Sequence, residues 1–406
     1  MRPFTSTISL EEARRRLDAA VRPISRTERN HISESAGRVV ATDVISAIDV
    51  PAFARAAMDG YAVVSADTAN ATSETPARLR LVDRIYTGQM SKVTVVPGTC
   101  AEIATGAPLP AGADAVVMVE ETASEGEQIH IRVAASAGRN IGRRGADIMT
   151  GDPVVRAGEL LTPSRIGALA AIGQAEVTVY AKPRVAILST GNEVVEPGQS
   201  LKDGQIYDVN RFTLGAIVGA HGGVPRSHKA AQDTLESLTR ALDECLESDL
   251  IVFSGGSSVG TRDLVVDLVA ARGEMIFHGI AVKPGKPTAF ALVRKSGALE
   301  TPFFGMPGNP TSCLSNAYIL LIPFLRAVAR LPPQTPRTVR VPLGRRIASS
   351  AGRHQFYTVR LENGAAFPAF KGSGDITSLS QADGYIEIPA NQDVVDEGAL
   401  VNVTLF

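Results

Sequence analysis

Three loops rich in glycine and proline carry residue types that suit an anionic, phosphate-bearing ligand. The first, SGGSSVGTRD from Ser254 to Asp263, lies between the strand-like LIVFS and the helix-like LVVDLVAA. A strand, a glycine-rich turn and a helix N-terminus present backbone N–H groups and a positive dipole end to a phosphate. An ordinary connecting turn is the alternative, since the pattern matches neither a Walker A loop nor G-x-G-x-x-G. The candidate ligand-binding residues are Gly255, Gly256, Ser257, Ser258 and Gly260.

Two further loops, KPGKP and GMPGNPTS, each follow a predicted strand. Lys283 and Lys286 sit on a proline-stiffened backbone that loses little freedom on binding, which suits a multiply charged anion. In the other loop, Asn309 or Thr311 is expected to cap the next helix and to leave the amides of the turn exposed to a ligand. Ordinary turn chemistry is the alternative for PGNP. The candidates in this loop are Pro307, Gly308 and Asn309.

Acidic residues form the second group of candidates. Each also has a structural explanation, such as an Asx turn with Gly60, a favourable helix dipole, or a place before a helix cap at Asn210. Carboxylates around a phosphate would repel it, and a divalent cation that bridges carboxylate and phosphate oxygens removes the repulsion. Magnesium is expected, because the six histidines lack the i, i+4 pairing of zinc enzymes. The candidate catalytic residues are Asp59 in MDGYA, Asp147 in RRGADI, Asp208 in IYDVNR and Asp263.

Other chemistries have little support. No G-x-S-x-G elbow accompanies the serines of the first loop, so a serine hydrolase is not expected. Cys100, Cys245 and Cys313 are far apart, which fits neither a disulfide framework nor a zinc cluster and favours a reducing compartment. A net charge of -1 gives no general attraction to nucleic acid or anionic lipid.

The elements that must position the loops are readable from periodicity. Between residues 184 and 330, strands RVAILS and LIVFS alternate with helices near 212–220 and 233–247, which predicts a parallel sheet flanked by helices. In the second helix, Asp233 and Glu236 are expected to form the capping pair. Its apolar face is predicted to consist of Leu235, Leu238, Leu242 and Leu246.

Other segments predict further domains. Ser9 and Glu12 have capping-box spacing before an amphipathic helix, and Thr162 with Pro163 begins another helix that ends at Gly173. Short β-rich runs from residue 61 to about 133, and again after residue 330, predict two small β domains. A chain of 406 residues has room for two to four domains.

No export or membrane segment is expected. The N-terminus becomes charged before the apolar core of a signal peptide can develop. The strongest apolar run, from Ala317 to Leu325, contains Pro323 and is shorter than the ~18 residues that span a bilayer. The expected location is the cytoplasm.

Eight motifs in one order point to a known family. They are MDGYA, ATGAPLPAGADAVV, GRNI with RRGADI, STGNEV, IYDVNR, SGGSSVG, KPGKP and PGNP, and they extend from residue 58 to residue 310. Together they resemble the molybdopterin molybdenumtransferases, the MoeA and gephyrin E-domain family. One such motif would be weak, but the ordered set is specific.

The resemblance implies a multidomain α/β chain. Residues 1–55 and 145–183 would form an elongated mixed α+β domain, and 56–144 an inserted β domain. Residues 184–330 would form a molybdopterin-binding αβα domain with a parallel-type sheet, and 331–406 a C-terminal β barrel. It also implies a homodimer in which Asp59 approaches SGGSSVG across the interface.

The family's substrate is adenylylated molybdopterin, into which molybdate is inserted while the phosphoanhydride is cleaved to release AMP. By this resemblance, Asp208 and Asp263 are the expected Mg²⁺ ligands, and Glu193 in TGNEV is a further substrate-binding candidate. Contact with the adenylyltransferase and with downstream molybdoenzyme chaperones is also expected. Positive charge and hydroxyl groups in the C-terminal segment suggest molybdate ligands, with Arg353, Arg360, Ser373 and Ser378 as candidates.

The chain departs from the family pattern at three places. Ala54 and Ala56 replace the usual Asp and Ser of F-D-x-S-x-M-D-G-Y-A, and Ala146 replaces the Glu of R-R-G-E-D-I. Two alternatives therefore stay open. One is a molybdopterin adenylyltransferase, which shares the αβα domain, and the other is a gephyrin-like binding scaffold.

Overall fold

The computed structural model describes residues 7–232, 234–255, 264–294, 300–349 and 352–406. The chain forms two compact units, one made of Met1–Glu28 with Tyr180–Phe406 and the other of Arg29–Val179. The helices among the described residues are α1 (Leu10–Ala20), α2 (Pro163–Ala171), α3 (Asn210–Ala220), α4 (Leu235–Cys245), α5 (Leu264–Arg272), α6 (Pro310–Asn316), α7 (Ile322–Val328) and α8 (Thr377–Ser380).

Short strands make up most of the remaining regular structure. The strands of the first half of the chain are β1 (Thr27–His31), β2 (Val44–Ile45), β3 (Arg55–Ala56), β4 (Gly60–Val63), β5 (Ala77–Ile85), β6 (Thr99–Ile103), β7 (Ala115–Met118), β8 (Thr122–Glu125), β9 (Gln128–Ile131), β10 (Ile141–Gly142), β11 (Pro153–Val155) and β12 (Glu176–Tyr180). Those of the second half are β13 (Arg184–Ser189), β14 (Val194–Val195), β15 (Ile206–Tyr207), β16 (Val224–Ser227), β17 (Leu250–Ser254), β18 (Gly273–His278), β19 (Val282–Lys283), β20 (Ala289–Arg294), β21 (Glu300–Met306), β22 (Thr338–Pro342), β23 (Ile347–Ala348), β24 (His354–Glu362), β25 (Ala365–Pro368), β26 (Gly384–Ile388), β27 (Val394–Val395) and β28 (Leu400–Leu405).

A six-stranded sheet of order β16-β13-β17-β21-β20-β18 is the centre of the first unit. β16, β13, β17 and β21 are parallel, as the alternation of strands and helices predicts. β20 pairs antiparallel with both β21 and β18, which the strand–helix alternation did not predict. For β20 and β21 the reason is the short connection of five residues between Arg294 and Glu300, since a parallel pair requires a crossover of about a dozen residues or more.

Both faces of this sheet are buried. On β13, Val185 and Ile187 belong to a core cluster that includes residues of α1, α3, α6 and α7. Ala186 and Leu188 face the other way, into a cluster with residues of α4 and α5. Side chains alternate between the faces of a strand, so a continuous apolar run such as RVAILS marks a strand covered on both sides.

The helix starts show which local signals the structure uses. Ser9 accepts a hydrogen bond from the Glu12 N–H (3.1 Å), and Thr162 accepts one from the Arg165 N–H (3.4 Å), as predicted. The prediction for α4 was wrong, because Thr234 is the N-cap and accepts a hydrogen bond from the Ser237 N–H (3.2 Å).

The buried face of α4 is shorter than predicted. Leu238, Leu242 and Cys245 are buried, whereas Leu235 in the first turn is 49% exposed. Leu246, just after the helix, is partly buried against the same cluster. Asp233, the expected capping residue, lies outside the described residues.

The C-terminal part of the first unit is a sheet of order β19-β24-β26-β28-β22, with β25 paired to β24. Its apolar core includes Val359, Ile386 and Val403. Phe356 and Tyr385 stack with ring centroids 4.0 Å apart. The β-rich character follows the sequence prediction, and closure of this sheet into a barrel stays a prediction.

The second unit contains the sheet β7-β4-β6-β5-β9-β8, with apolar clusters on both faces. Two small antiparallel pairs, β10 with β3 and β11 with β2, accompany it. α2 packs separately, through Leu169, against Val155 and Val177. The four domain bounds implied by the resemblance stay a prediction.

One helical stretch, Pro310–Val328, has the length and composition needed to cross a membrane, with 19 residues and a mean hydropathy of 1.3. The run is therefore longer than the sequence analysis expected. A π-helical turn, Ala317–Leu321, precedes Pro323 and lets the helical path continue past a residue that lacks a backbone N–H. Of its apolar window 78% is buried inside the fold, as in a core helix.

Candidate functional site

The candidate loops meet at one edge of the central sheet. Ser189 at the end of β13 pairs with Ser254 at the end of β17, and Ser254 pairs with Met306 at the end of β21. β20 begins at Ala289, opposite Gly305. The segments that follow β13, β17 and β21, and the KPGKP loop that precedes β20, therefore lie at the edge where open α/β sheets bind ligands.

Glycine allows two of these segments to touch. Gly255 has φ +102°, and a Cβ there would lie 2.4 Å from the carbonyl oxygen of Thr190. A Cβ at Gly308 would lie 3.4 Å from the Cα of Gly255. The backbones that follow β13, β17 and β21 are thus in contact. The other residues predicted in the first loop, Gly256, Ser257, Ser258, Gly260 and Asp263, lie outside the described residues.

Asn210, the first residue of α3, ties this contact together. Its Nδ2 donates to Ser254 Oγ and to the carbonyl oxygen of Gly308, both at 2.7 Å. Ser254 Oγ in turn donates to the carbonyl oxygen of Pro307 at 3.3 Å. The prediction of a helix cap at Asn210 was wrong, because Val209 is the N-cap residue of α3. The place of Asn210 in IYDVNR was the one signal in the sequence of a further role.

Two buried polar atoms lie beside this network. Asn210 Oδ1 and Thr190 Oγ1 are buried and make no hydrogen bond within the part of the chain that the structure describes. The Thr190 N–H donates to the carbonyl oxygen of Ser254 at 2.8 Å. Both residues therefore flank Ser254, and they add an unused acceptor and an unused hydroxyl to the edge of the sheet.

Asp208 is 4% exposed and anchored by protein donors. Its Oδ1 accepts from Ser189 Oγ at 2.8 Å and from the Arg211 N–H at 3.1 Å, so Asp208, one residue before the N-cap Val209, satisfies an amide in the first turn of α3. Its Oδ2 accepts from Arg211 Nε at 3.1 Å. Arg211 also pairs with Glu196 and donates to the carbonyl oxygen of His228 at 3.3 Å. This arrangement neutralises Asp208 and fixes its orientation.

Magnesium coordination was tested on the chemistry of these donors. A carboxylate has about four lone-pair sites, and protein hydrogen bonds occupy three of those on Asp208, which leaves about one for a metal ion. No group of three or more His, Cys, Asp or Glu residues placed to hold a metal occurs among the described residues. The donor type fits magnesium, and the role of Asp208 and Asp263 as ligands stays a prediction.

Glu193 lies on the segment after β13. It is exposed, and both its carboxylate oxygens would lie 2.8 Å from a Cβ at Gly191, whose φ is +145°. The glycine therefore makes room for the Glu193 carboxylate. A substrate contact by Glu193 stays a prediction.

The KPGKP loop is held by its own backbone and by the C-terminal sheet. The carbonyl oxygen of Lys286 accepts from the Ile280 N–H at 3.0 Å and from the Thr288 N–H at 2.9 Å. Lys283 belongs to β19 and pairs with Gln355 of β24. Both lysines are half-buried, on a loop that leads directly into β20.

The prediction for the PGNP helix was right in position only, because Asn309 is the N-cap residue of α6. Neither Asn309 nor Thr311 caps α6 with its side chain. Instead the carbonyl oxygen of Ser373 accepts from the N–H groups of Thr311 (3.0 Å) and Ser312 (3.3 Å). Asn309 Nδ2 donates to Ser373 Oγ at 3.0 Å, and Thr311 Oγ1 donates to the carbonyl oxygen of Asp375 at 2.8 Å. These amides are therefore not open to a ligand.

The same contact places Ser373, a predicted molybdate residue, beside the PGNP loop. Ser378 Oγ accepts from the Lys371 N–H at 2.9 Å and shapes the turn that carries Ser373. A distant segment thus supplies the acceptor that local sequence was expected to supply. Long-range contacts of this kind leave no local pattern.

The two predicted arginines lie at opposite ends of one strand. Arg353 immediately precedes β24, where His354 pairs with Val282 of the KPGKP side. Arg360 lies seven residues further on, about 23 Å along the strand, and pairs with Glu362 at 3.3 Å. At most one of them can contact a single molybdate, and the position of Arg353 favours it.

In the second unit, Asp59 is exposed and ordered by a backbone donor. Its Oδ1 accepts from the Thr105 N–H at 2.7 Å, and this hydrogen bond lowers the pKa of Asp59 below its usual range. Asp59 lines a cavity of about 200 Å³ together with Tyr86, Arg84 and Glu102. Arg84 and Glu102 form an ion pair at 2.9 Å. Sequence analysis missed Thr105, although it lies in ATGAPLP.

The positions where the chain departs from the family pattern have different environments. Ala56 is 1% exposed within an apolar cluster, so its environment suits an apolar side chain. Ala146 and the candidate Asp147 are exposed, and the Asp147 N–H donates to the carbonyl oxygen of Val50 at 3.0 Å. Approach of Asp59 to the SGGSSVG loop across a dimer stays a prediction.

Family models match most of the chain. Residues 8–173 match the MoeA N-terminal region (domain I and II), residues 186–327 a probable molybdopterin binding domain, and residues 340–406 the MoeA C-terminal region (domain IV). The chain is 35% identical over 379 residues to molybdopterin molybdenumtransferase 2 of Mycobacterium tuberculosis, covering 91% of this chain and 92% of that protein. It is 31% identical over 409 residues to the molybdopterin molybdenumtransferase of Haemophilus influenzae, covering 98% of each.

Solved structures give the same result. A molybdopterin biosynthesis MoeA protein from Pyrococcus horikosii superimposes with a TM-score of 0.85 at 38% identity, covering 98% of this chain and 99% of that one. A second, from Pyrococcus horikoshii OT3, gives 0.81 at 30% identity, covering 99% and 100%. These matches agree with the candidate loops that meet at one edge of the central sheet. The chain belongs to the MoeA family of molybdopterin molybdenumtransferases, the transferases of molybdenum cofactor biosynthesis.

Proposed function

We propose that this chain inserts molybdate into adenylylated molybdopterin and releases AMP in a magnesium-dependent reaction. The observation that carries the proposal is the convergence of Gly255, Gly308 and the KPGKP loop on one edge of the central sheet. A ligand with a pterin and a pyrophosphate needs backbone donors and fixed cations within one site. In this proposal Lys283 and Lys286 supply the cations, and the SGGSSVG loop that begins at Ser254 supplies the backbone donors.

The described residues suggest a division of tasks. Lys283 and Lys286 supply positive charge for the phosphates, from a loop that is already ordered. Asn210 acts indirectly, because it fixes the glycine loops, whereas Asp208 both holds the start of α3 and is a proposed metal ligand. Asp59 supplies a carboxylate whose pKa the Thr105 N–H lowers and whose Oδ1 that hydrogen bond orients.

Magnesium belongs to the proposal, with Asp208 and Asp263 as its protein ligands. When bound, it would neutralise phosphate charge and polarise the phosphoanhydride. The remaining lone pair of Asp208 is compatible with one metal bond.

Molybdate is proposed to bind near Ser373 and Arg353. Molybdate is a compact dianion, so it needs a cation and hydroxyl donors together. The hydrogen bond between Ser373 and Asn309 places the hydroxyl beside PGNP, and Arg353 precedes the strand that pairs with the KPGKP side. Arg360 and Ser378 are less suitable, because an ion pair and a turn already use them.

The proposal includes a cytoplasmic homodimer, in which a second copy would bring Asp59 to the loops of the first. Contacts with the adenylyltransferase that makes the substrate and with chaperones that receive the product belong to the same proposal. Nothing in the net charge of -1 favours nucleic acid or an anionic membrane as a partner.

The direct test is turnover with purified protein. Incubation with adenylylated molybdopterin, Mg²⁺ and molybdate should release AMP and leave molybdenum bound to the pterin product. AMP release should require both Mg²⁺ and molybdate. Consumption of ATP, or AMP release without molybdenum uptake, would instead assign the chain to the adenylyltransferase class.

A variant separates catalysis from a purely binding scaffold. Asp263→Asn keeps the side-chain size and removes the charge, so the dimer should stay folded while turnover falls at least ~10²-fold, as on loss of a metal ligand or acid-base group. Turnover equal to wild type would remove Asp263 from the mechanism. Binding of the substrate without any turnover in the wild type would favour the scaffold.

A further inference from the structure

Helix α6 connects the PGNP and KPGKP loops through Asn316, a residue that lies in none of the eight motifs. Its first residue, Pro310, is the last residue of PGNP, and its last residue, Asn316, is fully buried. Asn316 Nδ2 donates to the carbonyl oxygen of Gly285 at 2.8 Å and to Thr288 Oγ1 at 2.5 Å. Seven helical residues span about 10 Å, so α6 fixes the spacing between PGNP and KPGKP.

The contact between Asn316 and the KPGKP loop is buried and closely packed. Thr288 is also fully buried, and its Oγ1 donates to the same Gly285 carbonyl oxygen at 2.9 Å. Gly285 has φ +103°, and a Cβ there would lie 2.3 Å from Asn316 Nδ2. Only glycine fits against the asparagine, so the middle of KPGKP rests directly on Asn316.

Stability alone does not explain an asparagine at this position. Asn316 Oδ1 is buried and makes no hydrogen bond within the described ranges, which costs free energy that an apolar side chain would avoid. What an apolar residue could not provide is the amide donor to Gly285. The donor is therefore the property that the structure uses.

We propose that Asn316 is a positioning residue that holds the KPGKP loop in its anion-binding shape. The inference rests on the proposed function, because it assigns Lys283 and Lys286 to the substrate's phosphates. With Asn316 in place, the lysine-bearing backbone is ordered before binding, and less conformational entropy is lost when the anion arrives. Asn316 itself touches no substrate.

The test compares Asn316→Leu with the neighbouring Ser315→Ala. Leucine has the same number and branching of side-chain heavy atoms as asparagine and no donor, so the KM for adenylylated molybdopterin should rise at least ~10-fold while kcat changes less than ~3-fold. Ser315 is fully buried on the same helix, and its hydroxyl makes no hydrogen bond in the described structure. Ser315→Ala should therefore leave both constants unchanged.

A second readout does not depend on turnover. Amide hydrogen exchange at Thr288 and Ile280, whose N–H groups bond to the Lys286 carbonyl, should accelerate at least ~10-fold in Asn316→Leu. Exchange at Val252, in the central strand β17, should stay as in the wild type. Should Asn316→Leu fail to fold, Thr288→Val removes the other half of the same contact and should give the same two effects.

The outcomes separate the two claims. A wild-type protein that releases no AMP would contradict the proposed function, while faster exchange in Asn316→Leu would still establish that this residue orders the loop. Unchanged KM and unchanged exchange in both Asn316→Leu and Thr288→Val would overturn the role of Asn316. A fall in kcat at constant KM would also overturn it, because a loop that only orders the lysines affects binding.

Discussion

Removal of the Asn210 side-chain amide should disconnect the two glycine loops. In the folded chain, this amide donates 2.7 Å hydrogen bonds to Ser254 Oγ and to the Gly308 carbonyl oxygen. Asn210→Leu removes both donors while keeping the number and branching of the side-chain heavy atoms. It leaves two acceptors without this donor: the carbonyl oxygen of the exposed Gly308, and the buried Ser254 Oγ, which keeps its own hydrogen bond to Pro307.

The expected magnitude follows from these contacts. Each net hydrogen bond contributes about 0.5–1.5 kcal/mol, so Asn210→Leu should reduce the free energy of unfolding by about 1–3 kcal/mol. The fall in kcat/KM should be larger than this loss of stability alone would cause, because displacement of ligand-binding groups by about 1 Å can lower a rate ~10²-fold. We expect kcat/KM to fall about 10- to 100-fold.

Thermal unfolding followed by circular dichroism and the AMP-release assay would measure the two effects. Thr213→Ala is a suitable control, because Thr213 Oγ1 donates only to the Asn210 carbonyl oxygen of its own helix, at 3.1 Å. The control should keep wild-type kcat/KM. A destabilised Asn210→Leu protein with wild-type kcat/KM would refute the argument that this tether positions the loops.

Two further predictions concern the molybdate site and acid stability. Arg353→Ala should raise the KM for molybdate about 10-fold or more, because a hydrogen bond to a charged group contributes about 1.5–3 kcal/mol. Arg360 lies about 23 Å away along β24, so Arg360→Ala should change this KM less than ~2-fold. A larger effect of Arg360→Ala than of Arg353→Ala would exchange their roles. Burial alone would raise the pKa of Asp249, but hydrogen bonds from Arg26 (2.5 Å) and the Arg184 N–H (2.7 Å) hold it below its ordinary value of 3.8. A lowered folded-state pKa stabilises the fold above the ordinary value and loses this effect as pH falls below it. Urea unfolding should therefore show Asp249→Asn less stable than wild type at pH 7, with the difference shrinking below pH 3.8; a difference that persists or grows in acid would contradict this.

The sequence was most informative where the signals are local. Ser9 and Thr162 begin their helices as their spacing predicts, because an N-cap depends on residues only three positions apart. The loop motifs could be placed at strand ends for a similar reason, because each one directly follows a predicted strand in the sequence. Glycine at position 255 reflects a left-handed backbone that other residues rarely adopt.

The sequence was least informative where partners are distant in the chain. Asn210 contacts Gly308 across 98 residues, and Thr311 contacts Asp375 across 64. Asn309 and Thr311 looked like caps because their types suit that role, yet Ser373 supplies the acceptor from another segment. Neither periodicity nor residue type could reveal which backbone would reach the first turn of α6.

The docking of Ser373 on α6 has a consequence for chimeric proteins in this family. The last part of the chain is not an independent appendage, since its 372–375 turn completes the hydrogen bonding of a helix more than sixty residues earlier. Truncation before this turn would expose unpaired amides beside PGNP. A C-terminal region grafted from a relative would have to present a carbonyl group at the same place, so modular exchange should succeed only with a matched turn.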